Sequence, residues 1–137
     1  MEQFVSKSQK DTEKIGKKIA KKFLTDGGVV LLEGPLGAGK TALVRGIAQG
    51  LGIKRLISSP TFVFLKIYGR LYHLDLYRLN KPEEFEILGV QELIENNDNK
   101  IFVIEWPSRT TYNFQNAISI NIEKSSNADN ERIITLL

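Results

Sequence analysis

Apolar positions along the chain alternate between helical and strand spacing. Phe4-Val5 reads as a short edge strand. Ile15, Ile19, Ala20 and Phe23 then recur at helical intervals. They predict a helix running to about Leu24, capped by Ser8 or Asp11. Lys10, Lys14, Lys17, Lys18, Lys21 and Lys22 fall mostly on its other faces, as a solvated surface or a surface for a partner or RNA. Asp26-Gly27-Gly28 ends that helix, and Val29 to Leu32 is a continuous apolar run. Leu43, Val44, Ile47 and Leu51 return to helical spacing until Gly50-Leu51-Gly52 stops it. Val63–Tyr68 and Leu71–Leu76 alternate on either side of Gly69-Arg70, a hairpin pattern that puts His73, Asp75 and Tyr77 on one side. Pro82, Glu83 and Glu84 open a helix that carries Phe85 and Leu88 to Gly89, and Gln91–Glu95 forms a second short one. Ile101–Ile104 is uninterruptedly apolar, as in a parallel strand buried on both faces. Ala117–Ile122 and Arg132–Leu136 alternate around the polar stretch Lys124–Asn130, and read as a terminal antiparallel pair closing the sheet.

Between the first apolar run and the helix after it lies Gly34-Pro35-Leu36-Gly37-Ala38-Gly39-Lys40-Thr41. Strand, glycine-rich loop and helix in that order are the context a phosphate-binding P-loop requires. Gly34, Gly37 and Gly39 let the backbone turn tightly and approach a ligand. The loop amides form an anion nest, reinforced by the positive end of the following helix. Lys40 reaches phosphate as a point charge, and the Thr41 hydroxyl suits Mg²⁺. The expected fold is therefore α/β: one P-loop domain over residues 1–137, three-layered. Its sheet is mixed and mostly parallel, with the antiparallel pair at the C-terminus.

Composition narrows the classes. At 137 residues and 42% hydrophobic content, the chain suits one core. It has no cysteine, which excludes disulfides and thiolate chemistry and suits a reducing compartment. The N-terminus lacks signal-peptide character and no apolar run approaches a membrane span, so a cytoplasmic protein without a membrane partner is expected. A net charge of +3 is compatible with nucleic acid nearby.

A P-loop needs a carboxylate near its metal, usually at the end of a buried strand. Glu105 directly follows Ile101–Ile104, and Asp75 ends a less apolar strand. One would serve as ligand, directly or through water, the other behind it or against a polarised water. A surface carboxylate and a hairpin salt bridge are the corresponding structural roles. His73, the single histidine, suits strand packing or catalysis. Arg78 and Arg109 would bring positive charge, and Trp106 packing or a stacking surface. Ser59 and Thr61 stand where P-loop proteins often carry a loop that senses the γ-phosphate.

Five stretches in register carry a family resemblance: GPLGAGKT at Gly34–Thr41, SPTF at Ser59–Phe62, HLDLYRL at His73–Leu79, PEEFEILG at Pro82–Gly89 and IEWPSR at Ile104–Arg109. Together they resemble the TsaE family of YjeE-like ATPases, from the first helix to Arg109. The resemblance implies a small P-loop α/β domain that binds ATP or ADP with Mg²⁺ and hydrolyses ATP weakly. It implies work with TsaB and TsaD in making threonylcarbamoyladenosine beside the anticodon of tRNA, with tRNA reached through that complex. It assigns nucleotide binding to Gly34 through Thr41 with Ala42, Thr61 and Trp106. Catalysis falls to Lys40, Asp75 and Glu105, and the metal to Thr41 and Glu105. Ser59, Pro60 and Thr61 match the family's switch-like loop. Which group orients the attacking water is left open.

Other readings stand beside it. A small-molecule P-loop kinase would need an acceptor pocket and an arginine-bearing lid, and no lid insertion is evident between Gly52 and Arg109. A GTPase-like switch would use Asn80-Lys81-Pro82-Glu83 as a guanine reader, with Glu where Asp is usual. A non-hydrolysing nucleotide scaffold would not need the intact lysine and both carboxylates.

Overall fold

The computed structural model describes residues 1–54, 57–58, 64–96 and 98–137, with the backbone alone at position 87. Among them the elements run β1 (Glu2–Ser6), α1 (Gln9–Phe23), β2 (Gly28–Glu33), α2 (Lys40–Gly50), β3 (Leu65–Tyr68) and β4 (Leu71–Asp75). Then come α3 (Glu84–Ile87), α4 (Val90–Glu95), β5 (Ile101–Glu105), a 3-10 turn (Pro107–Arg109), β6 (Ile118–Lys124) and β7 (Arg132–Leu136). No helix among the described residues is long and apolar enough to cross a membrane.

The strands form one sheet in the order β1-β7-β6-β2-β5-β4-β3. The four central strands, β6, β2, β5 and β4, run parallel, and antiparallel strands flank them on both sides. The α/β class and the parallel core are as the sequence predicts. So are the antiparallel C-terminal pair and the edge strand at Phe4-Val5, but the pair does not close the sheet by itself. β6 lies directly beside β2 and runs parallel to it, and the edge is β1, paired antiparallel to β7 from Glu2↔Leu136 to Ser6↔Arg132. The alternation in the two C-terminal runs reported pairing between them, but not which strand would cover their outer side.

Each face of the sheet buries a core. On one, α1 and α2 pack Ile15, Ile19, Leu43 and Ile47 against Val30, Leu32, Val103 and Ile120. Gly46 sets how closely these helices meet: a Cβ there would lie 2.0 Å from the Glu13 carbonyl oxygen. Of the two caps the sequence offers for α1, Ser8 is the one used: its Oγ accepts from the Asp11 amide at 3.0 Å, while Asp11, inside the first turn, accepts at Oδ2 from the Lys7 amide at 3.1 Å. Lys10, Lys14, Lys17, Lys18, Lys21 and Lys22 all lie exposed.

The opposite face is aromatic. Phe85, Tyr112 and Phe114 meet with centroids 4.8 to 5.6 Å apart, over Leu74, Phe102 and Ile104. The helix expected from Pro82 starts only at Glu84, because Pro82 and Glu83 are taken up in the preceding turn. It ends before Gly89, which adopts φ 72° and starts α4.

Candidate functional site

The loop between β2 and α2 is shaped by its backbone. Gly37 and Gly39 have φ of 77° and 105°, a region that favours glycine, and Gly39 is the last residue before α2. The Ala38 amide donates to Pro35 O at 3.2 Å, and the Leu43 amide to Gly39 O at 3.1 Å, which starts the helical ladder.

Lys40 is the first residue of α2, and its side chain folds back under the loop. Nζ donates to Gly34 O at 2.7 Å, lies 3.8 Å from Glu105 Oε1 and sits 4.2 Å from the Trp106 ring centroid. Only 6% of Lys40 is exposed. Burial lowers its ammonium pKa below the ordinary lysine value, against the opposing pull of Glu105, Asp75 and Glu33.

The two carboxylates stand side by side. Asp75 and Glu105 end adjacent parallel strands and are register partners. Glu105 is 4% exposed, which removes its reading as a surface carboxylate. Its Oε2 hydrogen-bonds His73 Nε2, and His73 is fully buried with no partner for Nδ1 among the described residues. His73 thus packs inside the strand, the first of its two readings, and hydrogen-bonds the Glu105 carboxylate. Asp75 forms no ion pair, and so no hairpin salt bridge, among the described residues. Its Oδ1 accepts from the Tyr77 amide at 3.0 Å. Burial raises its pKa above the usual carboxylate value, and the neighbouring Glu105 charge adds to the rise.

Trp106 follows in a left-handed conformation, φ 57° and ψ 50°, which turns the chain sharply at the end of β5. Its amide donates to Leu32 O at 3.2 Å. Its ring packs on Tyr77 at 4.9 Å, and the Arg109 guanidinium lies 5.1 Å from the Tyr77 ring and 5.8 Å from that of Trp106. Trp106 borders a cavity of about 630 Å³ together with Lys40, Asp75 and Glu105.

A profile described as "Threonylcarbamoyl adenosine biosynthesis protein TsaE" matches residues 6–134. The chain belongs to the TsaE family. It is 42% identical to the tRNA threonylcarbamoyladenosine biosynthesis protein TsaE of Treponema pallidum, over 96% of this chain and 97% of that one. It is 38% identical to the protein of the same name in Haemophilus influenzae, over 88% of this chain and 81% of that one. Among solved structures, the crystal structure of Bacillus subtilis YdiB superposes with a TM-score of 0.71 at 29% identity, over 98% of this chain and 83% of that one.

In this TsaE-family chain, Leu36, Gly37, Gly39, Lys40, Thr41 and Ala42 line the cavity together with Asp75, Glu105 and Trp106. Gly34, Pro35 and Ala38 contribute through their backbones instead, Gly34 by holding Lys40. Ser59, Pro60 and Thr61 lie outside the described residues. Asn80–Glu83 is not part of this cavity's lining and leads into α3.

Sequence reasoning missed the opposite wall. It is built by Ser8, Gln9 and Thr12 at the start of α1, and by Asn130 and Arg132 at the turn into β7. Arg132 Nε donates to Ala38 O at 2.9 Å, across 94 positions of sequence. No local signal marks such a contact. The one available hint is a long charged side chain at the head of an otherwise apolar alternating run.

Proposed function

We propose that this protein binds ATP and ADP with Mg²⁺ in this cavity and hydrolyses ATP slowly, as an accessory subunit acting with TsaB and TsaD in threonylcarbamoyladenosine modification of tRNA. The observation that carries the reading is Lys40. Its ammonium is buried, clamped to Gly34 O, and shares one carboxylate, Glu105, with a histidine. A buried ammonium beside a loop whose amides are suited to phosphate supports an anion as the ligand.

Thr41, Asp75 and Glu105 bring hard oxygen donors to the lining of the same cavity, a set that suits Mg²⁺. Thr41 and Glu105 would hold the ion, with Asp75 close by; bound there, it would neutralise phosphate charge. His73 occupies Glu105 Oε2 and leaves Oε1 on the Lys40 side. Asp75 lines the cavity half-buried with a raised pKa, which supports a role for it as the acceptor of a proton from water. Trp106 lines the cavity, and its ring is supported by that of Tyr77.

The test is nucleotide binding by calorimetry, followed by ATP turnover. ADP and ATP should bind with Mg²⁺, and GTP should compete poorly. Turnover should be slow alone and rise with the TsaB–TsaD pair and with tRNA. Fast turnover indifferent to these additions would leave an independent ATPase, and a phosphorylated small molecule would make it a kinase.

A further inference from the structure

A trans peptide plane carries its C=O and N–H on opposite edges, so a group that holds a carbonyl outward aims the next amide inward. A phosphate nest depends on amides that point inward, and its outward carbonyls need partners of their own. Arg132 supplies them here. Nε donates to Ala38 O at 2.9 Å, and Nη2 approaches Gly37 O at 3.5 Å. The amide sharing a plane with Ala38 O is that of Gly39, the residue before α2.

The guanidinium is also held from behind. Nη1 donates to Asp129 O at 2.7 Å and to Glu131 O at 3.1 Å. The connection between β6 and β7 is itself braced: Ser125 Oγ donates to Glu131 Oε2 at 2.5 Å and the Ser125 amide to Glu131 O at 3.0 Å. Arg132 is also paired on both sides in the sheet, with Ser6 in β1 and Lys124 in β6. A planar fork fixed at one end orients whatever it grips at the other.

We propose that Arg132 is a positioning residue of the nucleotide site: it presets the Gly39 amide toward bound phosphate by holding the Ala38 and Gly37 carbonyls outward. The proposal rests on the phosphate-binding reading of the cavity and adds a part drawn from the far end of the chain. Arg132 acts through the loop, so its effect follows phosphate rather than base.

The experiment compares wild type, Arg132→Met and Arg132→Lys. In ligand-free protein the Ala38 carbonyl ¹³C and Gly39 amide ¹⁵N shifts are measured, with the β2 and β5 amides as a control on the fold. Binding of ADP and of inorganic pyrophosphate is measured by calorimetry. Arg132→Met should move both loop shifts, leave the strand amides in place and weaken ADP and pyrophosphate alike, by roughly tenfold. Arg132→Lys keeps the charge without the fork and should stay within about threefold of the Met variant. Unmoved loop shifts or unchanged binding in Arg132→Met would overturn the proposal. Wild-type behaviour in Arg132→Lys would replace geometry with net charge and also overturn it. So would weakened ADP with unaltered pyrophosphate, the mark of direct contact with the rest of the nucleotide. Strand amides that shift together with Gly39 would reduce Arg132 to a brace of the fold. If wild type binds neither ligand, the nucleotide reading fails separately, while the ligand-free shifts still decide whether Arg132 sets the loop.

Discussion

The two walls of the cavity differ in how their polar groups are used. On the wall made by the loop, α2 and the strand ends, charges are buried without full compensation. Lys40 and Glu105 face each other at 3.8 Å, and Asp75 stands beside them with a raised pKa. On the opposite wall, polar groups are spent on the fold. Ser8 caps α1, and the Thr12 hydroxyl meets Ser6 Oγ at 2.7 Å and donates to Ser8 O at 3.3 Å. One wall leaves charges in close, partly compensated contact, and the other, at Ser8 and Thr12, uses its hydroxyls in the hydrogen bonds of the fold. Arg132 crosses between them.

The comparison breaks first at Glu105. Glu105→Gln keeps the shape and deletes the charge, so turnover should fall on the order of 100-fold while ADP affinity changes much less, because charge stabilisation matters most in the transition state. Steady-state turnover beside calorimetry checks this, and equal losses in both would make Glu105 a binding group only. Lys40→Ala should weaken ADP and ATP by about tenfold or more, from loss of a charge-assisted contact. Unchanged affinities would remove the phosphate assignment for this wall.

On the opposite wall the sign of the effect should change from function to stability. Ser8→Ala removes the cap of α1 and should cost about 1 kcal/mol in denaturant unfolding. Its ADP affinity should stay within about threefold of wild type, since that hydroxyl serves the helix; a larger loss would make the wall a ligand contact.

The smallest effect sharpens the contrast within the reactive wall. The folded pKa of Asp75 is raised above the unfolded value, so the folded protein holds that proton more tightly. The stability this brings is fully present below the unfolded pKa and is lost as pH rises through the folded one. At neutral pH the ionised, half-buried carboxylate counts against the fold. Asp75→Asn should therefore raise the Tm of metal-free, nucleotide-free protein by on the order of 1–3 °C at pH 7. The gain should vanish in acid. A lower Tm at pH 7 would mean that the Tyr77 amide and the Lys40 charge outweigh the desolvation.

Much of the reactive wall was legible because its parts are local. Gly34 to Thr41 form one turn between a strand and a helix, and the apolar run Ile101–Ile104 announces where Glu105 must emerge. The pairing of Asp75 with Glu105 was only half legible: the hairpin pattern placed Asp75 at a strand end, but the neighbouring strand was not named. His73 was ambiguous for the same reason, since its role depends on a carboxylate 32 residues away in sequence.

The sequence alone determined which segments become strands and helices of the parallel core, and the chemistry of the loop, because spacing and side-chain type act within one or two turns of chain. It also determined family membership, through several short stretches kept in register. Only the tertiary structure decided what faces them. It inserted β6 and β7 between β1 and β2, brought the start of α1 to the cavity and put Arg132 on the Gly37 and Ala38 carbonyls. Those contacts follow from strand order, and strand order is set by burying both faces of the sheet at once, a condition on the whole chain that no single stretch contains.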